Sequence, residues 1–153
     1  MTSGAFEIWV CDQEGRNPLK VTSFESASGA GTPRWSPNGE RIAFDCRAEG
    51  NGHIYVVTLK TGQVRRLTKG ASENVVPSWS KDGRSVYFSS NRTGQHHVWK
   101  MPTDGGEAVQ VTRSGGFAPI ESPDGQWVYY RKGQNRAGAL AGTCRWRRGN
   151  VDR

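Results

Sequence analysis

The feature that most constrains this chain is a seven-residue box that occurs three times. The copies lie at residues 33–39 (PRWSPNG), 77–83 (PSWSKDG) and 119–125 (PIESPDG). They begin 44 and then 42 residues apart, and each precedes a short run of alternating apolar residues at 42–44, 86–88 and 128–130. Such self-similarity at a fixed period indicates a repeat architecture, and it therefore governs every later interpretation.

Two further boxes recur in step with the first one. The second box joins an aliphatic to an aromatic residue, and its copies are residues 8–10 (IWV), 54–56 (IYV) and 98–100 (VWK). The third box ends in threonine, and its copies are residues 19–22 (LKVT), 66–68 (RLT) and 110–112 (QVT). A glycine-containing turn separates the two boxes in each unit, so one unit is predicted to hold four short strands.

The turn chemistry supports an all-β chain. Proline favours φ near −65°, whereas Asn-Gly and Asp-Gly supply the positive φ that tight hairpins need. Glycine accounts for 20 of the 153 residues, and Gly or Pro interrupts every window long enough for a helix. Four strands in a period of about 40–45 residues predict the blade of a β-propeller.

The number of repeats predicts an incomplete ring. Two whole blades are expected at residues 31–68 and 75–112, and half-blades at residues 6–22 and 117–132, which together make three blades' worth of four-stranded antiparallel sheet. Known propellers have about four blades or more. We therefore expect an open or partial ring, unless two chains associate and pair their half-blades.

The boxes resemble the TolB-like repeat, also described as a PD-type or WD-like β-propeller repeat. One departure is Glu121, which replaces the tryptophan found at positions 35 and 79. The resemblance implies a non-enzymatic bacterial module for protein–protein interaction or ligand sensing, periplasmic in the full-length protein. It also implies that a homodimer would complete a six-bladed ring.

Other proteins that use such repeats leave two alternatives open. The chain could be a fragment of the gating propeller of a prolyl-oligopeptidase-type peptidase, or the sensor propeller of a bacterial transcriptional regulator or kinase. Fold resemblance alone does not choose among these functions.

The net charge of +7 is concentrated at residues 129–153, most of which form a predicted tail at residues 133–153. The chain from residue 129 on has seven basic residues and one acid, whereas residues 1–128 have 14 basic and 13 acidic residues. The tail matches no repeat box and no nucleic-acid-binding motif, so we expect no nucleic-acid partner and interpret it as an off-pattern end, from a truncation or frame change near Leu140.

We expect no cofactor, no metal and no membrane insertion. The three cysteines are widely spaced and lack the pattern of a zinc site, and Cys11 and Cys46 are predicted to be small buried groups. His53 and His97 occupy the same repeat position, which indicates a polar start to a strand. No apolar run reaches membrane-spanning length, and the first residues lack a secretory signal pattern.

Two groups of residues are singled out. The positions shared by the repeats are predicted to be structural, with Trp35 and Phe44 in the core of one blade and Trp79 and Phe88 in that of the next. The full structural group is Trp35, Gly39, Phe44, Trp79, Gly83, Phe88 and Gly125. Binding residues are expected on the loops of one rim, because loops on a rigid scaffold commonly hold recognition residues. These candidates are Arg34, Arg47, Glu73, Asn74, Arg92 and His96.

Overall fold

A computed structural model describes residues 6–24 and 29–133 of the chain. This part contains twelve β-strands and no helix, so no helix in it is long and apolar enough to cross a membrane. The strands are β1 (Trp9–Val10), β2 (Leu19–Lys20), β3 (Ala30–Trp35), β4 (Arg41–Glu49), β5 (Asn51–Thr58), β6 (Gln63–Arg66), β7 (Asn74–Trp79), β8 (Ser85–Ser90), β9 (His97–Pro102), β10 (Val109–Gln110), β11 (Phe117–Glu121) and β12 (Val128–Arg131). Apart from residue 133, the predicted tail lies outside the described residues.

The strands form four sheets in which every pair of neighbours is consecutive and antiparallel. Two sheets have four strands, β3–β6 and β7–β10, here called the first and second blades. Two sheets have two strands, β1–β2 and β11–β12, here called the N-terminal and C-terminal half-blades. The chain is thus a partial β-propeller, which confirms the predicted fold class.

A threonine hydrogen bond recurs in three of the four sheets. The hydroxyl groups of Thr22, Thr68 and Thr112 accept from the backbone N–H groups of Ile8, Ile54 and Val98. All three bonds measure 2.9 Å and join residues 14 positions apart. The threonine of the third sequence box therefore closes the hairpin made by the third and fourth strands of each unit.

The repeated Gly39, Gly83 and Gly125 end the turns between the first and second strands. Their N–H groups donate to the carbonyl oxygens of Ser36, Ser80 and Ser122 at 2.8–2.9 Å. Each glycine has a φ of 69–75°, a region in which a Cβ atom is unfavourable. The predicted structural role of these glycines is therefore explained by the backbone conformation of the turn.

A bulge precedes the proline of every first strand, and sequence reasoning did not foresee it. Thr32, Val76 and Ala118 have φ values of 43°, 54° and 54°, and the strand register shifts at each of them. Positive φ is costly for residues with a Cβ, above all for β-branched ones. Since it recurs in all three units, the bulge is a feature of the repeat.

The core lies between successive sheets. Phe44 belongs to a buried cluster between the N-terminal half-blade and the first blade, and Phe88 to a cluster between the two blades. Both phenylalanines are fully buried, and Trp79 is only 8% exposed, in agreement with the prediction for these three residues.

The prediction for Trp35 is wrong, because this side chain is 55% exposed. Its counterpart Trp79 is covered by β3 and β4 of the preceding blade: its indole N–H donates to the Arg34 carbonyl at 2.9 Å, and the Arg41 guanidinium lies 4.9 Å from its ring centroid. The N-terminal half-blade supplies only third and fourth strands, so within residues 6–24 and 29–133 no first or second strand covers Trp35 in the same way. Pro33 is exposed for the same reason, whereas Pro77 is buried.

The prediction for Cys11 is also wrong, while Cys46 is buried as expected. Cys11 follows the two-residue strand β1 and is exposed. Cys46 lies on β4 between two sheets, where burial raises the pKa of its thiol.

Candidate functional site

The end of the sheets where one unit connects to the next is here called the connection rim. It comprises the β4–β5 turn and residues 69–73, 91–96 and 113–116. Arg47 and Glu73 meet here in an ion pair of 2.9 Å, with Arg47 more than half exposed. The pair links the end of β4 in the first blade to the segment that enters the second blade.

A second ion pair on this rim joins Glu49 to Arg66. The Arg66 guanidinium holds the pKa of Glu49 below its usual value, and Glu49 raises the pKa of Arg66 in return. The Tyr55 hydroxyl also donates to Glu49, at 3.3 Å. This pair was not singled out from the sequence, because Glu49 and Arg66 lie on different strands whose pairing only the fold reveals.

Asn74 and Arg92 contact each other, but only Arg92 is accessible. Asn74 is fully buried, so its predicted role as a surface binding residue is corrected to an internal one. Its amide donates to the carbonyl groups of Gly52 and Ser72 at 3.2 and 2.7 Å, and its oxygen accepts from Arg92 at 2.9 Å. Asn74 thereby ties the second blade to the rim of the first.

The Arg92 guanidinium is held against aromatic rings. It lies 4.5 Å from the Trp99 ring centroid and 5.4 Å from that of Phe88, within the range of a cation–π contact. Burial of this group lowers the pKa of Arg92. The residue therefore presents a fixed positive charge at the rim.

The three histidines serve the start of the third strand and the rim around it. His96 packs edge-on against Phe117, with ring centroids 5.3 Å apart, and is partly exposed. His97 accepts from the Gly115 N–H at 3.2 Å, and His53 contacts the Thr68 hydroxyl at 3.3 Å. Burial lowers the pKa of His53, and Arg66 lowers it further. Among residues 6–24 and 29–133, no three or more His, Cys, Asp or Glu residues are grouped so as to hold a metal ion.

Arg34 does not lie on the connection rim with the other five candidates. It lies near the end of β3, at the opposite end of the sheets, and lines a cleft of about 330 Å³ along the first strands. Trp35, Trp79, Ile120 and Glu121 line the same cleft. The six candidates therefore divide into four accessible rim residues, one buried residue beneath them and one residue on a separate cleft.

Glu121 occupies the position that tryptophan holds in the other two units, and it is well partnered. Its carboxylate accepts from the Tyr87 hydroxyl at 2.8 Å and from the Lys81 backbone N–H. The Lys100 ammonium lies 4.8 Å from the Tyr87 ring centroid. At this position the C-terminal half-blade contacts the second blade through hydrogen bonds. At the equivalent position the second blade contacts the first blade through a buried indole ring.

The two ends of the array expose large apolar side chains. At the N-terminal half-blade these are Phe6, Trp9 and Leu19, and at the C-terminal half-blade Ile120, Trp127 and Tyr129. Together with Trp35, they mark sheet faces and edges that have no neighbouring sheet within the part of the chain described here. Unpaired strands and exposed apolar patches of this kind are typical of interaction sites.

Comparison with solved structures identifies the same architecture in known proteins. The chain superposes on TolB from Agrobacterium tumefaciens with a TM-score of 0.73 and 32% identity, over 81% of this chain and 44% of that one. For TolB from Acinetobacter baumannii, the TM-score is 0.70 and the identity 26%, over 87% and 33%. An oligogalacturonate lyase solved with manganese shares the fold, with a TM-score of 0.60 and 17% identity over 80% and 36%.

Sequence comparison leads to the same group of proteins. The Tol-Pal system protein TolB of Blochmanniella pennsylvanica is 30% identical over 69 residues, which are 45% of this chain and 15% of that protein. The TolB homologue of Chlorobium chlorochromatii is 37% identical over 67 residues, 44% and 15% of the two chains. The matches thus span about a seventh of these relatives' length. The sequence profile of the TolB beta propeller domain matches residues 1–145, and the chain therefore belongs to that family.

Proposed function

We propose that this chain is a non-enzymatic propeller module that binds other proteins, chiefly through β-strands added at its two open ends. The observation that carries the proposal is the exposure of large apolar side chains on the two-stranded sheets at both ends. Isolated two-stranded sheets are marginal in water, and a protein partner that pairs with them gains both backbone hydrogen bonds and apolar burial.

The connection rim provides a second, polar contact region in this proposal. Arg47, Glu73 and Arg92 are charged, and the partly exposed His96 adds an aromatic ring. Charged groups at the edge of an interface contribute more to orientation and association rate than to affinity. Arg34 would act separately, at the cleft on the opposite end of the sheets.

A homodimer is one form that the strand-mediated contact takes in this proposal. The N-terminal half-blade has the third and fourth strands of a blade, and the C-terminal half-blade has the first and second. Two copies would therefore complete each other's half-blades in a six-bladed ring. The periplasmic location, the peptidase-fragment alternative and the regulator or kinase alternative depend on sequence outside these residues and stay predictions.

Site-specific photo-crosslinking of the full chain tests the strand-mediated contact. A photoreactive phenylalanine analogue is placed at Trp9 or Tyr129, and as a control at Lys60, which is exposed in the β5–β6 turn away from both ends. We expect covalent dimers from positions 9 and 129 and none from position 60. Light scattering then gives a mass twice the 16.8 kDa of one chain. A monomer at all concentrations contradicts the homodimer, and equal crosslinking at all three positions contradicts contact through the open ends.

A further inference from the structure

We propose that the uncovered face around Trp35 is a docking surface for the first two strands of a propeller blade, and that the second of these strands has a small side chain opposite Trp35. The inference rests on the proposed strand-mediated binding and specifies the chemistry of the partner. It follows from how the two complete interfaces of this chain are packed.

The interface between the first and second blades shows what the tryptophan position requires. Trp79 is packed in one cluster with Ala43 and Val56 of the preceding blade, and all three are buried. The Arg34 carbonyl accepts from its indole N–H, and Arg41 covers its ring. The large ring is thus accommodated because β4 has an alanine at position 43.

The next interface reverses the sizes of the two side chains. Tyr87 takes the repeat position of Ala43, and Glu121 takes that of Trp79. The two meet through the 2.8 Å hydrogen bond between the tyrosine hydroxyl and the carboxylate. Each interface therefore pairs one large ring with one smaller side chain, and neither places two rings opposite each other.

Trp35 requires the first of these two arrangements. It is a tryptophan, so the strand that covers it should provide a small residue where the first blade has Ala43. The residue at this repeat position in the C-terminal half-blade is Tyr129, which is 64% exposed. A second copy closing the ring would put Tyr129 against Trp35, and overpacking of this kind destabilises a close-packed contact.

The remaining parts of the surface fit an incoming pair of strands. Strand β1 pairs with β2 along one edge, and within the described residues no strand pairs with its other edge. In the first blade the equivalent strand β5 pairs along that edge with β4. Pro33 and Trp35 are exposed beside it, whereas Pro77 is fully buried and Trp79 nearly so in the complete interface. The partner would thus add to the β1 edge and cover both residues, while its first strand offers a carbonyl to the Trp35 indole.

Self-association of the full chain tests this requirement, since the variant Tyr129→Ala gives the second copy the small residue that Trp35 needs. We expect the dimerisation constant of Tyr129→Ala, measured by sedimentation velocity, to be about tenfold tighter than that of the unmodified chain. A gain of this size corresponds to the free energy that relief of overpacking returns. Tyr129→Phe keeps the ring and should leave the dimerisation constant unchanged. Tyr129 is exposed, so neither variant should impair folding, which circular dichroism checks.

A third variant assigns the gain to Trp35. Combining Trp35→Ala with Tyr129→Ala should abolish the tenfold gain in dimerisation, because the small residue at position 129 then has no large ring to pack against. Equal dimerisation of the unmodified chain, Tyr129→Ala and Tyr129→Phe overturns the size requirement but leaves strand-mediated binding intact. Weaker dimerisation of Tyr129→Ala also overturns it, because the two rings would then attract each other. Absence of dimers in every variant overturns both this inference and the homodimer of the proposed function.

Discussion

Two neighbouring interfaces of this chain hold equivalent strands together by different chemistry. Between the first and second blades, the indole of Trp79 is buried against Ala43 and Val56. Between the second blade and the C-terminal half-blade, Glu121 accepts from Tyr87 and from the Lys81 backbone, with Lys100 over the tyrosine ring. The repeat specifies where the strands lie, but not whether apolar burial or hydrogen bonding joins them.

The two interfaces differ at both of their facing repeat positions, and not at one alone. Loss of the tryptophan at position 121 coincides with the change from alanine to tyrosine at the facing position 87. The two oxygens of the Glu121 carboxylate satisfy two donors from the preceding blade. We therefore expect the stability of each interface to depend on the combination of residues at these two facing positions.

The largest effect is expected from removing the indole of the apolar interface. Trp79→Ala should lower the free energy of unfolding by about 3–5 kcal/mol, because a buried ring is lost and a cavity remains. Trp35→Ala is the matched control: its ring is exposed, so the cost should be about 0.5 kcal/mol or less. Urea denaturation followed by circular dichroism measures both. Equal losses for the two variants would contradict the packing described here.

A smaller effect is expected from giving the apolar interface the large residue of its neighbour. Ala43→Tyr places a ring against Trp79 and should cost about 1–3 kcal/mol by overpacking. Adding Trp79→Glu recreates the Tyr87–Glu121 combination within the first interface. The double variant should then be more stable than the sum of the single losses by about 1 kcal/mol. Strict additivity in this double-mutant cycle would show that the two positions are not coupled.

The smallest effect is expected at the polar interface. Glu121→Ala removes the acceptor used by Tyr87 and Lys81, and should cost about 1–2 kcal/mol, because the buried Tyr87 hydroxyl loses its acceptor while the exposed Lys81 N–H can still reach water. Glu121→Gln retains one carbonyl oxygen and should cost less. Glu14→Ala, which breaks only an exposed ion pair with Arg16, should be nearly neutral. The prediction fails if Glu121→Ala and Glu14→Ala unfold at the same urea concentration.

The sequence predicts the architecture well because each element leaves a local pattern. A few neighbouring residues are enough to predict each glycine turn and each alternating strand. The turns at Gly39, Gly83 and Gly125 also repeat, so each copy supports the prediction made for the others. Trp79 is buried and Trp35 is exposed, although the sequence boxes that contain them are nearly identical. The difference depends on which strands precede each box, so the residues of the box alone do not predict whether its tryptophan is buried.

The candidate site was harder to predict for the same physical reason. Asn74 and Glu73 are adjacent in sequence, yet one is buried as a hydrogen-bonding bridge and the other pairs with Arg47 at the surface. The grouping of Arg34 with the rim residues failed because β3 carries it to the opposite end of the sheets. Burial and position across strands are set by tertiary pairing, which spacing along the chain does not report.

The threonine hydrogen bonds have a consequence for how such a chain assembles. Each bond closes a loop of 14 residues, whereas the Trp79–Arg34 bond spans 45. Short loops close at lower entropic cost and more rapidly than long ones, so each outer hairpin can form before neighbouring sheets meet. Each outer hairpin therefore forms from local contacts but depends on a neighbouring sheet for its stability. A hairpin moved to another repeat would keep its closing hydrogen bond, and it would fit there only if the large and small residues of the new interface match.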